Sequence, residues 1–194
     1  MKRTTTSLAL VALCLTATTA GAQTLTQGKS YGTHSVSRPV MIDSVDVNNQ
    51  KFSISSLLKT AYTAEGLTGS TATASPQGFF SVPKAKAGSN SFSTFAFSLI
   101  APSYTKGELR LYGRARYAVY DGEELLGSNE DKLASSDTVP AVTIPLTLIA
   151  TNKDLVVKVL STGEDEAKAD FKLTFEPDKG LPELALKAAK EGVR

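Results

Sequence analysis

The chain has 194 residues, 41% hydrophobic and 21% charged, with 21 basic residues against 19 acidic ones. It contains one Cys (Cys14), one His (His34) and no Trp. A near-neutral balance argues against a broad electrostatic footprint on nucleic acid. A lone Cys leaves no disulfide framework and no Cys-based metal site.

The first residues read as a secretory signal over 1–22. Met1-Lys2-Arg3 is a basic lead, Ser7–Leu15 is apolar, and Ala20-Gly21-Ala22 is a small-x-small cleavage pattern before Gln23. The apolar part is too short to span a bilayer, and no other apolar run reaches that length. Removing Lys2 and Arg3 balances the remaining basic residues against the 19 acidic ones. The Leu13-Cys14 context is a poor lipoprotein signal, because the residue before the Cys is not small. The expected product is an exported protein without Cys, found in the periplasm, at the cell surface or outside the cell, held by a core suited to one domain.

Residues 23–38 are polar and read as an extended lead-in, with an edge strand at Thr24–Gln27 and His34 in a loop. Residues 39–180 carry the domain. Val45 and Val47 alternate with polar neighbours, Asn48-Asn49 is a turn, and Lys51–Ile54 returns as a hairpin partner or opens a short helix. Glu65–Gln77 is a Gly/Ser/Thr/Ala loop and Gly78–Pro83 a strand that Pro83 ends. Phe95, Phe97 and Leu99 then share one strand face, and Ala101–Lys106 reads as a connection.

Gly107–Gly127 has the strongest pattern. Leu109, Leu111, Ala115, Tyr117 and Val119 occupy odd positions; Arg110, Tyr112, Arg114, Arg116 and Tyr120 occupy even ones. A single strand would put the first set in the core and the second on one open face. Asp121-Gly122 supplies the tight turn of a hairpin. Val142, Ile144, Leu146 and Leu148 form another strand face, and Pro140 and Pro145 place that strand at an edge or bulge. Leu155, Val157 and Val159, then Phe171, Leu173 and Phe175, complete the strands. Leu181, Leu184, Ala185 and Ala188 recur at helical spacing, so 181–194 reads as a short C-terminal helix or linker. The pattern is that of an all-β protein: an antiparallel, jelly-roll-like β-sandwich with a short C-terminal helix.

Enzyme signatures are scarce. On the motif reading, no Gly-x-Ser-x-Gly elbow, no His-Glu-x-x-His, no phosphate-binding loop and no dinucleotide-binding glycine fingerprint is found. The acidic residues gather in turns, the usual place for solvated carboxylates, so no catalytic residue is assigned and the chain reads as a non-enzyme. A carboxylate pair in a cleft is the third-ranked alternative. Asp43, Asp46 and Asn48 could hold a structural calcium ion, although an EF-hand spacing and its Gly are missing. No metal or cofactor site is assigned.

Arg110, Tyr112, Arg114, Arg116 and Tyr120 are the candidate ligand-binding residues. Tyr rings stack on sugars, and Arg donates a fixed fork of hydrogen bonds. The competing reading is an ordinary outer sheet face, with Arg and Tyr covering neighbouring strands.

GFFSVPKA followed by SFSTFAFSLIAPSYTKGELRLYGRARYAVYDGEELLGS resembles the galactose-binding-like jelly roll, a carbohydrate-binding-module-like β-sandwich of secreted bacterial proteins. In such modules a strand of this kind ends in a Tyr-x-Asp-Gly or Val-Asp-Gly hairpin, as Val119-Tyr120-Asp121-Gly122 does here. The resemblance covers residues 78–176 and assigns no individual binding residue. It implies a non-catalytic module, often attached to an exported hydrolase, whose partner is a glycan or an envelope protein. The alternative is a structural or protein-interaction module.

Overall fold

The computed structural model describes residues 21–37, 46–47, 50–51, 68–113, 115–129, 138–150, 152–163 and 169–188. Described side chains exclude those of His34, Val36, Ser37, the 46–47 and 50–51 pairs, and residues 186–188. The fold is all-β, every strand pairing is antiparallel, and no helix occurs among the described residues. The strands in chain order are β1 (Gln23–Thr24), β2 (Gln27–Ser37), β3 (Asp46–Val47), β4 (Gln50–Lys51), β5 (Ser70–Thr73), β6 (Phe80–Ser81) and β7 (Ser89–Ile100). They continue with β8 (Tyr104–Tyr112), β9 (Arg116–Asp121), β10 (Glu124–Asn129), β11 (Val142–Ile149), β12 (Asn152–Thr162), β13 (Asp170–Pro177) and β14 (Ala185–Ala188).

Two sheets share one core in a β-sandwich-like arrangement. The smaller runs β1-β13-β8-β11, with β6 also on β13; the larger runs β10-β9-β12-β7-β2-β5, with β14 also on β7. β3 and β4 pair only with each other among the described residues, which favours the hairpin over the helical alternative for the start of that segment. Alternation explains the inward faces. Leu109 and Leu111 of β8, Ile144, Leu146 and Leu148 of β11, and Phe171, Leu173 and Phe175 of β13 meet Phe95, Phe97, Leu99, Tyr117, Val119, Leu155, Val157 and Val159 from the larger sheet. β11 is an edge strand, as its prolines predict.

The central strands of the larger sheet, β9, β12 and β7, are buried on their other face too. Phe92, Thr94, Ala96, Ala118, Tyr120, Val156, Lys158 and Leu160 are all buried there. Near-continuous apolar runs such as Leu155-Val156-Val157 are what a strand covered on both faces needs.

Four expectations require correction. Gly107–Gly127 is not one strand followed by a hairpin. β8 belongs to the smaller sheet and β9 to the larger, and the chain crosses between them at Gly113–Ala115. Gly113 has φ +116°, and a Cβ there would lie 2.3 Å from the Asp170 carbonyl oxygen, so only glycine passes. The polar lead-in is a sheet strand: β2 pairs with β7, and Tyr31 is buried. His34 therefore lies on a strand, not in a loop. Within the expected loop at 65–77, β5 pairs with β2. The C-terminal helix is absent over the described residues 181–188, because Ala185–Ala188 joins β7 as a strand. Of the apolar set, Leu184 is buried and Ala185 exposed, and backbone pairing with β7 overrides helical propensity.

The hairpin itself is present, with its turn one position later than expected. Asp121 pairs with Glu124, so Gly122 and Glu123 form the two-residue turn, and Gly122 has φ +59°, which such a turn favours at its first position.

Candidate functional site

The crossing at Gly113 divides the five expected binding residues. Arg110 and Tyr112 lie on the outer face of the smaller sheet, while Arg116 and Tyr120 lie on β9 of the larger one. Arg114 lies outside the described residues. The single Arg/Tyr platform is therefore not formed. Tyr120 is 1% exposed, and its burial raises the phenol pKa. Arg116 is half-buried opposite Leu160.

Arg110 is tied to its own sheet. Its Nε and Nη2 donate to Glu108 Oε2 at 3.0 and 2.8 Å, and its Nη1 donates to Glu176 Oε2. The Glu108 hydrogen bond is the leading cause of a raised guanidinium pKa. Burial opposes it, and the Glu176 and Glu108 charges add to it. Register makes this network possible, since Glu108 faces Glu176 and Arg110 faces Thr174 across the β8–β13 ladder. Among the described residues, the buried Thr174 Oγ1 has no hydrogen-bond partner.

Tyr112 is only 8% exposed. Lys172 extends over it, with Nζ 4.8 Å from the Tyr112 ring centroid and 4.9 Å from that of Phe79. The ammonium therefore meets two aromatic rings, and Tyr112 offers little ring face to an outside ligand.

Two residues step out of this face at its far end. On the β8–β11 ladder, Tyr104 stands opposite Ile149. Tyr104 is 49% exposed and Ile149 is 70% exposed. The next rung pairs Lys106 with Thr147, and Lys106 Nζ lies 4.0 Å from Asp178 Oδ2. Sequence reading missed Tyr104 by assigning it to a connection. Extending the parity of Arg110 and Tyr112 back through Glu108 and Lys106 would have found it. Chemically, this end offers an aromatic ring and an aliphatic side chain beside polar groups. That combination suits the apolar face of a sugar or an apolar side chain of a partner.

A catalytic spelling also escaped the motif reading. Gly28-Lys29-Ser30-Tyr31-Gly32 has the Gly-x-Ser-x-Gly pattern of a nucleophile elbow. An elbow presents its Ser on a sharp strand-to-helix turn. Here the segment runs within β2, Ser30 pairs with both Phe95 and Ser70, and the Ser30 Oγ accepts a 3.3 Å hydrogen bond from the Gly32 N–H. The register shift between Ser30 and Thr33 and the φ of +83° at Gly32 mark a bulge within the strand.

No group of three or more His, Cys, Asp or Glu side chains suited to a metal occurs among the described residues. Asp43 and Asn48 of the suggested calcium loop lie outside those residues, as does the side chain of Asp46. No described helix is long and apolar enough to cross a membrane. Compared with protein-family models, curated proteins and solved structures, the chain gives no match.

Proposed function

We propose that this chain is an exported, non-catalytic, jelly-roll-like module that binds a glycan of the cell envelope or its surroundings, and that the ligand seats at the Tyr104 end of the smaller sheet. The observation that carries this reading is the Tyr104–Ile149 rung, where an exposed ring adjoins an exposed aliphatic side chain on a paired, rigid ladder. Lys106, Thr147 and Asp178 would orient sugar hydroxyls beside it. The Arg110–Glu108–Glu176 network would support the platform rather than touch the ligand. Export is supported by the basic, apolar and small-residue pattern of residues 1–22.

The second reading is a protein-interaction module. The exposure of Ile149 and Val139, both aliphatic, favours it.

A glycan array and polysaccharide-retention assay on the full chain separates the two. Retention by wild type, weakened about tenfold (~1.4 kcal/mol) by Tyr104→Ala with unchanged thermal stability, is the expected result. Retention of no glycan sinks the carbohydrate reading. Loss on Arg116→Ala but not on Tyr104→Ala moves the site to the larger sheet.

A further inference from the structure

β7 has one continuous edge and one divided edge. Along the first, β12 pairs with it from Asn152↔Ile100 to Thr162↔Asn90. Along the second, β2 pairs only as far as Lys29↔Ala96. Beyond that point the chain leads back through Thr26 and Leu25 to the smaller sheet, where β1 pairs with β13. Gly28 passes so close that a Cβ there would lie 2.7 Å from Phe97 Cε1. The departure leaves Phe97–Ile100 with no partner from β2.

β14 fills that gap with four pairs, Ala185↔Ile100 to Ala188↔Phe97. It arrives from β13 across the end of the two sheets. Its connection is Asp178–Leu184, which follows Pro177 at the end of β13 and contains Gly180 at φ +85° and Pro182. At its start the connection is fixed to β8, where the Asp178 N–H donates to the Lys106 carbonyl at 2.8 Å, and it turns through a 2.9 Å hydrogen bond from the Leu181 N–H to the Asp178 carbonyl. Gln23 clasps Leu184 as a neighbouring strand would, donating from Nε2 to its carbonyl at 2.8 Å and accepting its N–H at 3.1 Å. Thr105 Oγ1 donates to the Pro182 carbonyl at 2.7 Å. Leu184 is the one large apolar side chain buried in the connection.

We propose that the Phe97–Ile100 edge of β7 is a strand-accepting site whose partner in trans is the Leu181–Ala188 segment of a second copy of this chain, exchanged reciprocally. The acceptor groups all belong to the body of the fold: the β7 backbone, the Gln23 amide and the Thr105 hydroxyl. None of them distinguishes its own segment from a copy's. An exchange therefore keeps every rung and the Gln23 and Thr105 hydrogen bonds; it costs the turn hydrogen bond from the Leu181 N–H to the Asp178 carbonyl, the rearrangement of one short hinge and the association of two chains. A short strand at a sheet edge with one buried apolar anchor belongs to the low-stability end of local opening. Once it opens, β7 presents unpaired N–H and C=O groups of the kind that strand addition uses.

The test uses cysteine pairs at registered positions in full-length chain carrying Cys14→Ser. Ile100→Cys and Ala185→Cys are one pair, and Ser98→Cys and Lys187→Cys are a second. Directly paired residues in an antiparallel ladder lie within disulfide reach. Two single variants, one from each side of a pair, are mixed, unfolded, refolded together at high concentration and oxidised. The expected result is a disulfide-linked heterodimer that neither single variant yields alone. Double variants that form an intrachain disulfide while the mixed single variants form no heterodimer would overturn the exchange. Failure of both double variants to form any disulfide would overturn the β7–β14 pairing on which it stands.

Discussion

Phe171→Ala is the sharpest test of how the two sheets meet. Phe171 is fully buried, and its ring centroid lies 5.3 Å from that of Phe80, 5.0 Å from Phe95 and 6.3 Å from Phe97. Phe80 pairs beside it on the smaller sheet, whereas Phe95 and Phe97 come from the larger one. Truncating a buried Phe to Ala removes about 3–5 kcal/mol through lost transfer energy and a residual cavity. Each favourable ring pair adds roughly 0.5–1.5 kcal/mol, partly counted already in that range. A loss of about 4 kcal/mol is therefore expected, a large share of the roughly 5–15 kcal/mol available to a typical domain. Urea denaturation followed by Tyr fluorescence suits a chain without Trp. Phe79→Ala is the internal control. Phe79 is only half-buried and carries a Lys172 contact, so about 1 kcal/mol or less is expected. A Phe171→Ala loss below about 1.5 kcal/mol, or one equal to the control, would refute an aromatic cluster joining the sheets. A Phe80/Phe171 double-mutant cycle should show coupling of about 1 kcal/mol.

Further outcomes follow from the same geometry. Gly113→Ala should cost at least about 3 kcal/mol in chemical denaturation, since it adds both a strained φ and a clash with Asp170, whereas Gly122→Asn should stay within about 1 kcal/mol. Arg110→Ala should lower stability by under about 1 kcal/mol, with the effect fading in salt, because Arg110, Glu108 and Glu176 remain partly exposed. Burial lowers the Lys158 pKa from 10.5 to about 8. The unfolded chain therefore binds more protons between those values, and stability should rise with pH across that window, on the order of 2–3 kcal/mol. Burial raises the phenol pKa of Tyr117 and Tyr120, so their contribution is lost as pH passes 10, which caps the rise. Lys158→Met should abolish the rise, as read from denaturant midpoints between pH 7 and pH 10; a rise that survives the substitution would refute the assignment.

Strand content and inward faces were legible because period-2 alternation is a local property. The faces of Phe95, Phe97 and Leu99, of Ile144, Leu146 and Leu148, and of Phe171, Leu173 and Phe175 all lie where alternation puts them. What alternation cannot reveal is which sheet a strand joins. Leu111 and Tyr117 share parity and a common core, so the reading through Gly113 looked continuous while the chain changed sheets. The Arg/Tyr platform failed for that reason. Tyr120 failed for a second one: Ala96, Val156 and Leu160 form a buried face around it, and their apolar character was overshadowed by the stronger alternating set. β2 was hidden because its residues are mostly polar, and its place in the sheet comes from backbone pairing with β7 rather than from a hydrophobic pattern.

The position of β7 between remote partners also sets a timetable. Thr33 and Ser93, joined by a 2.8 Å side-chain hydrogen bond, are 60 residues apart, and Gln23 and Leu184 are 161 apart. Loop-closure entropy makes the longer span only about 0.9 kcal/mol more costly than the shorter one. Its burden is in time, since folds dominated by remote pairings assemble in milliseconds to seconds. At roughly 5–20 residues per second of synthesis, β2 would wait some 3–12 s for the stretch that completes its ladder. Through that interval its Ser-, Thr- and Gly-rich composition keeps it hydrated, so the polarity that conceals the strand in the sequence also keeps it from aggregating while unpaired.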